Sequence, residues 1–269
     1  MALLTLPLVL AVIMLELAIG GAFLLWYLDR TEDAPTGFLK LTAFVDAGAV
    51  AFAGVLLPAI PHGAGAADAH LDPDRLATFG QLVVVVIALI VAQLVVSFFP
   101  WKAARQAVGA VTVLGGAVCL TFAALARPAI VPLDVFALVA LPLGALALGG
   151  SDAAMLLGHW YLVTPKLSTG PLRRAALVVA FAVALQLVVV IAAIVRGQLS
   201  TDWEPALLVA VALRIGVGIF GTGAVALAAW WTARLNTRAS TGLLYVGIGT
   251  AISGEISAKV IFFLTGVAL

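Results

Sequence analysis

Long apolar segments separated by short polar connections dominate this chain and restrict what it can fold into. Eight segments are close to or longer than the ~20 apolar residues that a helix needs to cross a bilayer. They cover residues 4–28, 38–60, 77–99, 104–126, 133–160, 174–195, 205–232 and 242–267. Backbone polar groups in lipid must be paired within their own segment, so spans of this length are helices. The segments lack the strict alternation of barrel strands.

The composition excludes a water-soluble globule. Hydrophobic residues make up 64% of the 269 residues and charged residues 10%, with a mean hydropathy of +1.21. Soluble domains carry about 45–50% apolar and about 25% charged residues. Because the connections are short, they leave no room for a separate soluble domain. The sequence therefore predicts an all-α integral membrane protein, with one transmembrane domain over residues 1–269.

Lysine and arginine are distributed unequally between alternate loops, and cytoplasmic loops hold the excess of these residues. The second, fourth and sixth loops hold Arg75, Arg127 and Arg196. The first, third, fifth and seventh loops hold nine: Arg30, Lys40, Lys102, Arg105, Lys166, Arg173, Arg174, Arg234 and Arg238. The asymmetry predicts that both termini lie outside, in a protein of the inner (cytoplasmic) membrane. Tryptophan supports this orientation, because it collects at membrane interfaces and five of the six lie at predicted inner helix ends.

Ionisable residues inside the segments are the first candidates for function, because each costs about 2.5–3.5 kcal/mol at a helix centre on insertion scales. Arg214 and Lys259 reach similar depth in the last two segments, counted from their connection near residues 236–240. Glu255 precedes Lys259 by four residues and shares its helix face. We therefore expect an Arg214–Glu255 ion pair, with Lys259 and Glu16 of the first segment completing a charge cluster.

Small residues favour close contact between the same two segments. Gly218 and Gly221 share a face with Arg214, and a stripe of small residues runs along the last segment at positions 247, 251, 254 and 258. Such stripes allow helix backbones to approach closely. The G-x-G-x-x-G pattern at 216–221 follows no strand, so we interpret it as packing rather than nucleotide binding. The charge cluster then has two interpretations, a structural clamp or a proton-carrying site.

A second polar group, Asp46, Asp152 and His159, lies towards the predicted inner ends. Asp152 and His159 are seven residues apart and share a helix face, and Asp46 lies at a depth comparable to Asp152. A histidine and an acid near one interface can donate to a quinone carbonyl and exchange its proton. We predict that this group binds a quinone or protons. The alternative is that His159 belongs to an interfacial aromatic belt with Trp160 and Tyr161.

Other cofactors and partners fit the sequence less well. His62 and His70 lie in the second loop, about 30 Å from His159 across the membrane, so a bis-histidine haem within the chain is disfavoured. The acidic loop 58–77 matches no zinc or calcium spacing, and no metal site is predicted. A net charge of +1 provides no basic field for nucleic acid. Membrane lipids and other protein subunits are the expected partners.

Three functions are compatible with these features. The first is a membrane subunit of a larger electron-transfer or respiratory assembly, with a quinone or proton-handling role. The second is a proton-coupled transporter of a small solute, because an ion path requires acids and bases at several depths. The third is a purely structural or assembly protein. Motifs of autonomous catalysis are absent from the sequence, so any enzymatic role is that of a quinone-interacting subunit of an oxidoreductase.

Overall fold

Each of the eight apolar segments forms a helix. The computed structural model describes residues 2–31, 34–164, 167–200 and 202–269. Lys166, one of the nine basic residues in the odd-numbered loops, lies outside the described residues. Within the described residues, eight helices are long and apolar enough to cross a membrane. We number them α1 to α8: Ala2–Arg30, Thr36–Leu56, Pro73–Val96, Lys102–Leu125, Val135–Val163, Gly170–Val195, Pro205–Thr232 and Thr237–Thr265.

The predicted segments agree with these helices to within five residues at every end. Part of the difference comes from polar residues that cap the helix starts. Asp72 accepts hydrogen bonds from two backbone N–H groups at the start of α3, and Asn236 does the same at the start of α8. Asp134 accepts one at the start of α5. These side chains pair N–H groups that have no partner within the helix. The helices α3 and α8 therefore begin before their predicted apolar segments, whereas α5 begins two residues after its predicted start.

The helix α1 is the centre of the bundle. Of its most apolar window, 78% is buried inside the protein, compared with 22–56% for the other seven helices. On one side of α1, α2 and α4 pack against it, and α3 packs against both of them. On the other side, α5 to α8 form a ring in which α5 packs on α6, α6 on α7, α7 on α8 and α8 on α5. Both α5 and α8 contact α1, so the ring closes against the central helix.

Glycines allow α1 and α5 to approach at backbone distance. A Cβ added to Gly20 would collide with the carbonyl group of Ala145, and one added to Gly149 would lie 2.6 Å from the backbone nitrogen of Gly21. Of these glycines, Gly149 lies in the middle of α5. The helix continues unbroken from Val135 to Val163. Gly149 therefore allows α5 to pack closely against α1.

The helix α7 changes its hydrogen-bonding pattern halfway along. It begins as an α-helix at Pro205–Ala212, is π-helical over Leu213–Gly221 and returns to an α-helix at Thr222–Thr232. A π-helix widens the turn and rotates the following side chains. Apolar periodicity predicts only a regular helix here, so the sequence analysis missed the π-helical segment.

Candidate functional site

The expected ion pair between Arg214 and Glu255 is present in the structure, deep inside the bundle. Arg214 Nη1 lies 2.7 Å from Glu255 Oε1, and the two residues are 2% and 1% exposed. Gln186 of α6 donates from Nε2 to the same oxygen at 2.7 Å. The second oxygen, Oε2, pairs with Lys259 one turn further along α8. Glu255 therefore receives hydrogen bonds from three side chains.

Lys259 joins this pair to the central helix. Its Nζ lies 2.7 Å from Glu16 Oε1, in addition to its contact with Glu255. Glu16 is completely buried, and its Oε2 has no hydrogen-bond donor among the described residues. The charge cluster is thus a chain of alternating sign that runs Glu16–Lys259–Glu255–Arg214. Two acids and two bases balance when all four are ionised.

Each helix of the ring contributes to the charge cluster. The helix α6 provides Gln186, α7 provides Arg214, and α8 provides both Glu255 and Lys259. The contribution of α5 is space: a Cβ added to Gly144 would collide with Glu16 Oε1 and Lys259 Nζ and lie 2.8 Å from Glu255 Oε2. Gly144 is therefore the position at which the three charged groups fit against α5.

Close contact between α7 and α8 brings Arg214 to Glu255. Gly218 and Gly254 face each other so closely that a Cβ on Gly218 would lie 2.5 Å from the Cα of Gly254. Both residues belong to the small-residue faces described for the sequence. Arg214 and Gly218 lie in the π-helical segment, four residues apart. The glycine contact and the ion pair therefore form one seam between the two helices.

A turn after α8 closes the cluster towards the end of the bundle where α1 begins, which we call the outer end. Gly266 has a φ of 75°, and the chain folds back so that the carbonyl oxygen of Leu269 accepts a hydrogen bond from Arg214 Nε at 3.0 Å. Arg127, outside the spans, donates from Nη1 to the carbonyl oxygens of Gly266 and Pro128 at 2.8 and 3.1 Å. Burial lowers the pKa of Arg127, and the charge of Asp134 acts in the opposite direction.

The two acids of the inner group lie closer to the inner end of the bundle, where α1 finishes. Asp46 is 1% exposed, and a Cβ added to Gly21 would collide with its carboxyl group. Asp152 is 8% exposed, and the two carboxyl groups interact electrostatically. Asp46 Oδ1, Asp152 Oδ2 and the hydroxyl oxygen of Thr42 have no hydrogen-bond partner among the described residues.

His159 belongs to a different environment from the other two members of the inner group. It is exposed on the surface of the bundle, and its Nδ1 lies 3.0 Å from the hydroxyl oxygen of Tyr245 on α8. Asp152 is buried two turns away along α5. The structure therefore brings Asp46 and Asp152 together and places His159 with Tyr245 at the surface. This leaves the inner group as two neighbouring sites instead of one pocket.

Two residues of the cluster were missed by the sequence analysis. Gln186 has a signal, because an amide in the middle of an apolar segment needs a partner. Gly144 has none, since nothing in the sequence distinguishes it from other glycines.

In the acidic loop 58–77, Gly63–Asp68 form a short helix. Over the described residues no group of three or more His, Cys, Asp or Glu side chains is placed to hold a metal ion.

The cavities at these sites limit what can bind. A cavity of about 10 Å³ lies beside Lys259, lined also by Leu141, Phe262 and Leu269. That is about the space one water molecule needs. A larger cavity of about 400 Å³ lies between α2 and α3, near Pro61 and Phe79, and is mostly apolar. The cavity beside the charge cluster is therefore about large enough for one water molecule. Comparison with known proteins finds no matching family, curated protein or solved structure.

Proposed function

We propose that this chain is a proton-handling membrane protein in which Glu16 binds and releases the proton. The observation that supports this most directly is the unequal pairing of two buried acids. Glu255 accepts hydrogen bonds from Arg214, Gln186 and Lys259, whereas Glu16 has an ion pair with Lys259 alone. An ionised buried acid with fewer donors is the more costly one. A proton that reaches the cluster therefore binds Glu16.

Lys259 makes the uptake of that proton reversible. When Glu16 is ionised, the ammonium group is shared between two carboxylates and the four charges balance. When Glu16 is protonated, Lys259 pairs with Glu255 alone and the cluster carries one net positive charge. That excess charge is unfavourable in a low-dielectric interior. It therefore favours release of the proton from Glu16.

Further titratable groups continue from Glu16 towards the inner end. Asp46 packs on Gly21, five residues or about 7.5 Å along α1 from Glu16. Asp152 neighbours Asp46, and His159 lies seven residues beyond Asp152 at the surface. The two acids have no cation partner among the described residues. Two ionised carboxylates without a cation are costly in a membrane interior, so we infer that they share at least one proton.

The size of the cavity beside Lys259 favours proton transfer over solute transport. A transporter of a small solute needs a cavity at its charged site, whereas a proton needs only a chain of acids and water. The cavity of about 10 Å³ fits the second requirement.

We further propose that the chain performs this role as a subunit of a larger electron-transfer assembly in the cytoplasmic membrane.

Proton flux into liposomes tests the role of Glu16. The purified protein is reconstituted, a potassium diffusion potential is imposed, and an internal dye reports the pH. We expect the wild-type protein to acidify the liposomes and Glu16→Gln to reduce the flux to that of protein-free liposomes. The matched control is Asp68→Asn, an acid-to-amide change in the exposed loop, which should retain the flux. Equal flux from Glu16→Gln and wild type would overturn the proposal, as would a wild-type flux no greater than that of protein-free liposomes.

A second candidate role is quinone binding at His159, supported by its contact with Tyr245. An exposed imidazole 3.0 Å from a phenol offers two adjacent polar groups to a molecule dissolved in the lipid. One can donate to a quinone carbonyl while the other supplies a proton. We expect His159→Gln to impair quinone-linked turnover in the purified assembly. Turnover equal to wild type would discard this role and leave the proton site unaffected.

A further inference from the structure

Three arginines converge at the inner end of the bundle without an acidic partner. Arg173 belongs to the first turn of α6, Arg234 to the turn between α7 and α8, and Arg238 to the first turn of α8. No carboxylate lies within ion-pair distance of any of them in the part of the chain that the structure describes. Arg105 at the same end differs from them, because it binds Asp29 with two N–H groups at 3.0 and 3.2 Å.

Two tryptophans hold the guanidinium groups in place. Arg173 lies 5.3 Å from the ring centre of Trp230, and Arg234 lies 5.6 Å from the same ring and 4.0 Å from Trp231. Stacking on an aromatic ring uses the face of a guanidinium and leaves its N–H edges available. Arg234 and Arg173 are therefore held over the rings with N–H groups left for other partners.

An open cavity of about 380 Å³ lies against these donors. It is lined by Arg234, Asn236 and Arg238 from the turn and by Thr169 from the loop before α6. The turn has a defined conformation, because the Asn236 side chain accepts hydrogen bonds from the backbone N–H groups of Arg238 and Ala239 at 3.0 and 3.2 Å. Arg234 both lines the cavity and stacks on the tryptophans, so it joins the two parts of the site.

The unsatisfied atoms of this region are donors. Trp230 Nε1 and Arg173 Nε are buried and have no acceptor among the described residues. Buried polar groups are nearly always hydrogen-bonded. Neither atom lines the cavity, but both show that donors outnumber acceptors beside it. The inner acids Asp46 and Asp152 show the opposite case, because there the unsatisfied atoms are oxygens. A cavity lined by Arg234 and Arg238 is complementary to a phosphate group.

We propose that this Arg-rich cavity binds the phosphate group of an anionic phospholipid headgroup. A lipid fits better than a soluble phosphate because apolar side chains project beside the arginines: Trp231 is 54% exposed and Leu235 is 77% exposed. Both lie at the end of a membrane span, where tryptophan marks the interface. Basic pockets between membrane helices are typical headgroup sites. This proposal is independent of the proton-handling role.

Retention of lipid by the purified protein tests the site. The protein is equilibrated with equal amounts of phosphatidylglycerol and phosphatidylcholine, and the lipids that remain bound are counted by native mass spectrometry. We expect the wild-type protein to retain phosphatidylglycerol preferentially. The double variant Arg234→Gln with Arg238→Gln should lower that preference by about thirtyfold, roughly fivefold for each arginine. Both arginines are exposed, so the unfolding temperature should stay at the wild-type value.

The matched control is Arg30→Gln. Arg30 lies 5.9 Å from the ring of Trp26 at the same end of the bundle, outside the cavity, and its loss should leave the preference unchanged. Inorganic phosphate is added in a further series to identify the source of the phosphate group. Displacement of phosphatidylglycerol by inorganic phosphate would show a soluble-anion site and overturn the lipid proposal. Equal retention of the two lipids by the wild type would show that the cavity does not bind an anionic headgroup. A preference in the double variant equal to that of the wild type would show the same.

Discussion

Single residues decide how the charge cluster works. Glu16 and Glu255 are both buried acids on neighbouring helices, yet Glu255 accepts hydrogen bonds from three side chains and Glu16 has only its ion pair with Lys259. The difference comes from residues outside the four charges: Gln186 adds a donor to Glu255, and Gly144 leaves the space in which Lys259 reaches both acids. A sequence reading that considers only charged residues finds the cluster and misses this asymmetry.

Gly144→Ala should disrupt the cluster through a single added methyl group. That group would contact both glutamates and Lys259, and overpacking a filled site costs typically 1–3 kcal/mol. We expect a lower thermal unfolding temperature in detergent and a lower proton flux. Gly48→Ala is the control, because a Cβ at Gly48 meets no atom within 4 Å. Equal unfolding temperatures for the two variants would contradict the assigned role of Gly144.

The Arg214–Glu255 pair should show strong coupling in a double-mutant cycle. Arg214→Leu or Glu255→Leu alone leaves a buried charge without its partner, which costs about 3–5 kcal/mol. Removing both charges avoids that imbalance, so the double variant should be more stable than the sum of the single effects predicts. The measurement is the free energy of unfolding in mixed micelles. Additive effects, within about 0.5 kcal/mol, would mean that the two side chains act independently.

At the level of helices, the position of the cluster depends on two glycine contacts. Gly20 and Gly149 bring α1 to α5, and Gly218 and Gly254 bring α7 to α8. Helices in a membrane associate through close packing and hydrogen bonds, because lipid tails are as apolar as the side chains. The π-helical segment Leu213–Gly221 sets the rotation of Arg214 within this packing.

Gly254→Leu should separate α7 from α8 and break the cluster indirectly. A leucine side chain has no space beside the Cα of Gly218, so the helices must move apart and the Arg214–Glu255 distance should increase. We expect destabilisation of at least about 1–3 kcal/mol together with loss of proton flux. Gly249→Leu on the same helix is the control, because Gly249 is exposed and meets no neighbouring atom. If Gly254→Leu behaved like that control, the seam would not be the element that positions Arg214.

For the whole molecule, the two ends of the bundle differ in chemistry. At the predicted inner end Arg234 lies over Trp231 without a carboxylate partner among the described residues, whereas at the outer end Arg127 binds backbone carbonyl oxygens and Arg196 pairs with Asp134. This contrast agrees with the charge asymmetry of the loops. The orientation in which the odd-numbered loops are cytoplasmic is a prediction from that asymmetry.

Labelling of single cysteines in intact cells tests that orientation. Cys119 is buried and is replaced by alanine to give the background. A cysteine at exposed Ala67 in the loop before α3 should react with a membrane-impermeant maleimide, and one at exposed Leu235 between α7 and α8 should react only after the membrane is opened. The reverse pattern would place both termini in the cytoplasm and overturn the orientation.

The sequence by itself determined the eight spans, their boundaries and the set of ionisable residues that had to find partners. These properties depend on the hydropathy of consecutive residues and on the cost of burying charge, both of which are local. Only the tertiary structure decided which groups meet: that Gln186 joins Glu255, that Gly144 makes room for three charges, and that His159 faces the surface while Asp152 is buried. The physical reason is that such contacts depend on how each helix is rotated and how closely it approaches its neighbours. Helix rotation and helix–helix distance result from the packing of all eight helices together, so the sequence of a single segment does not determine them.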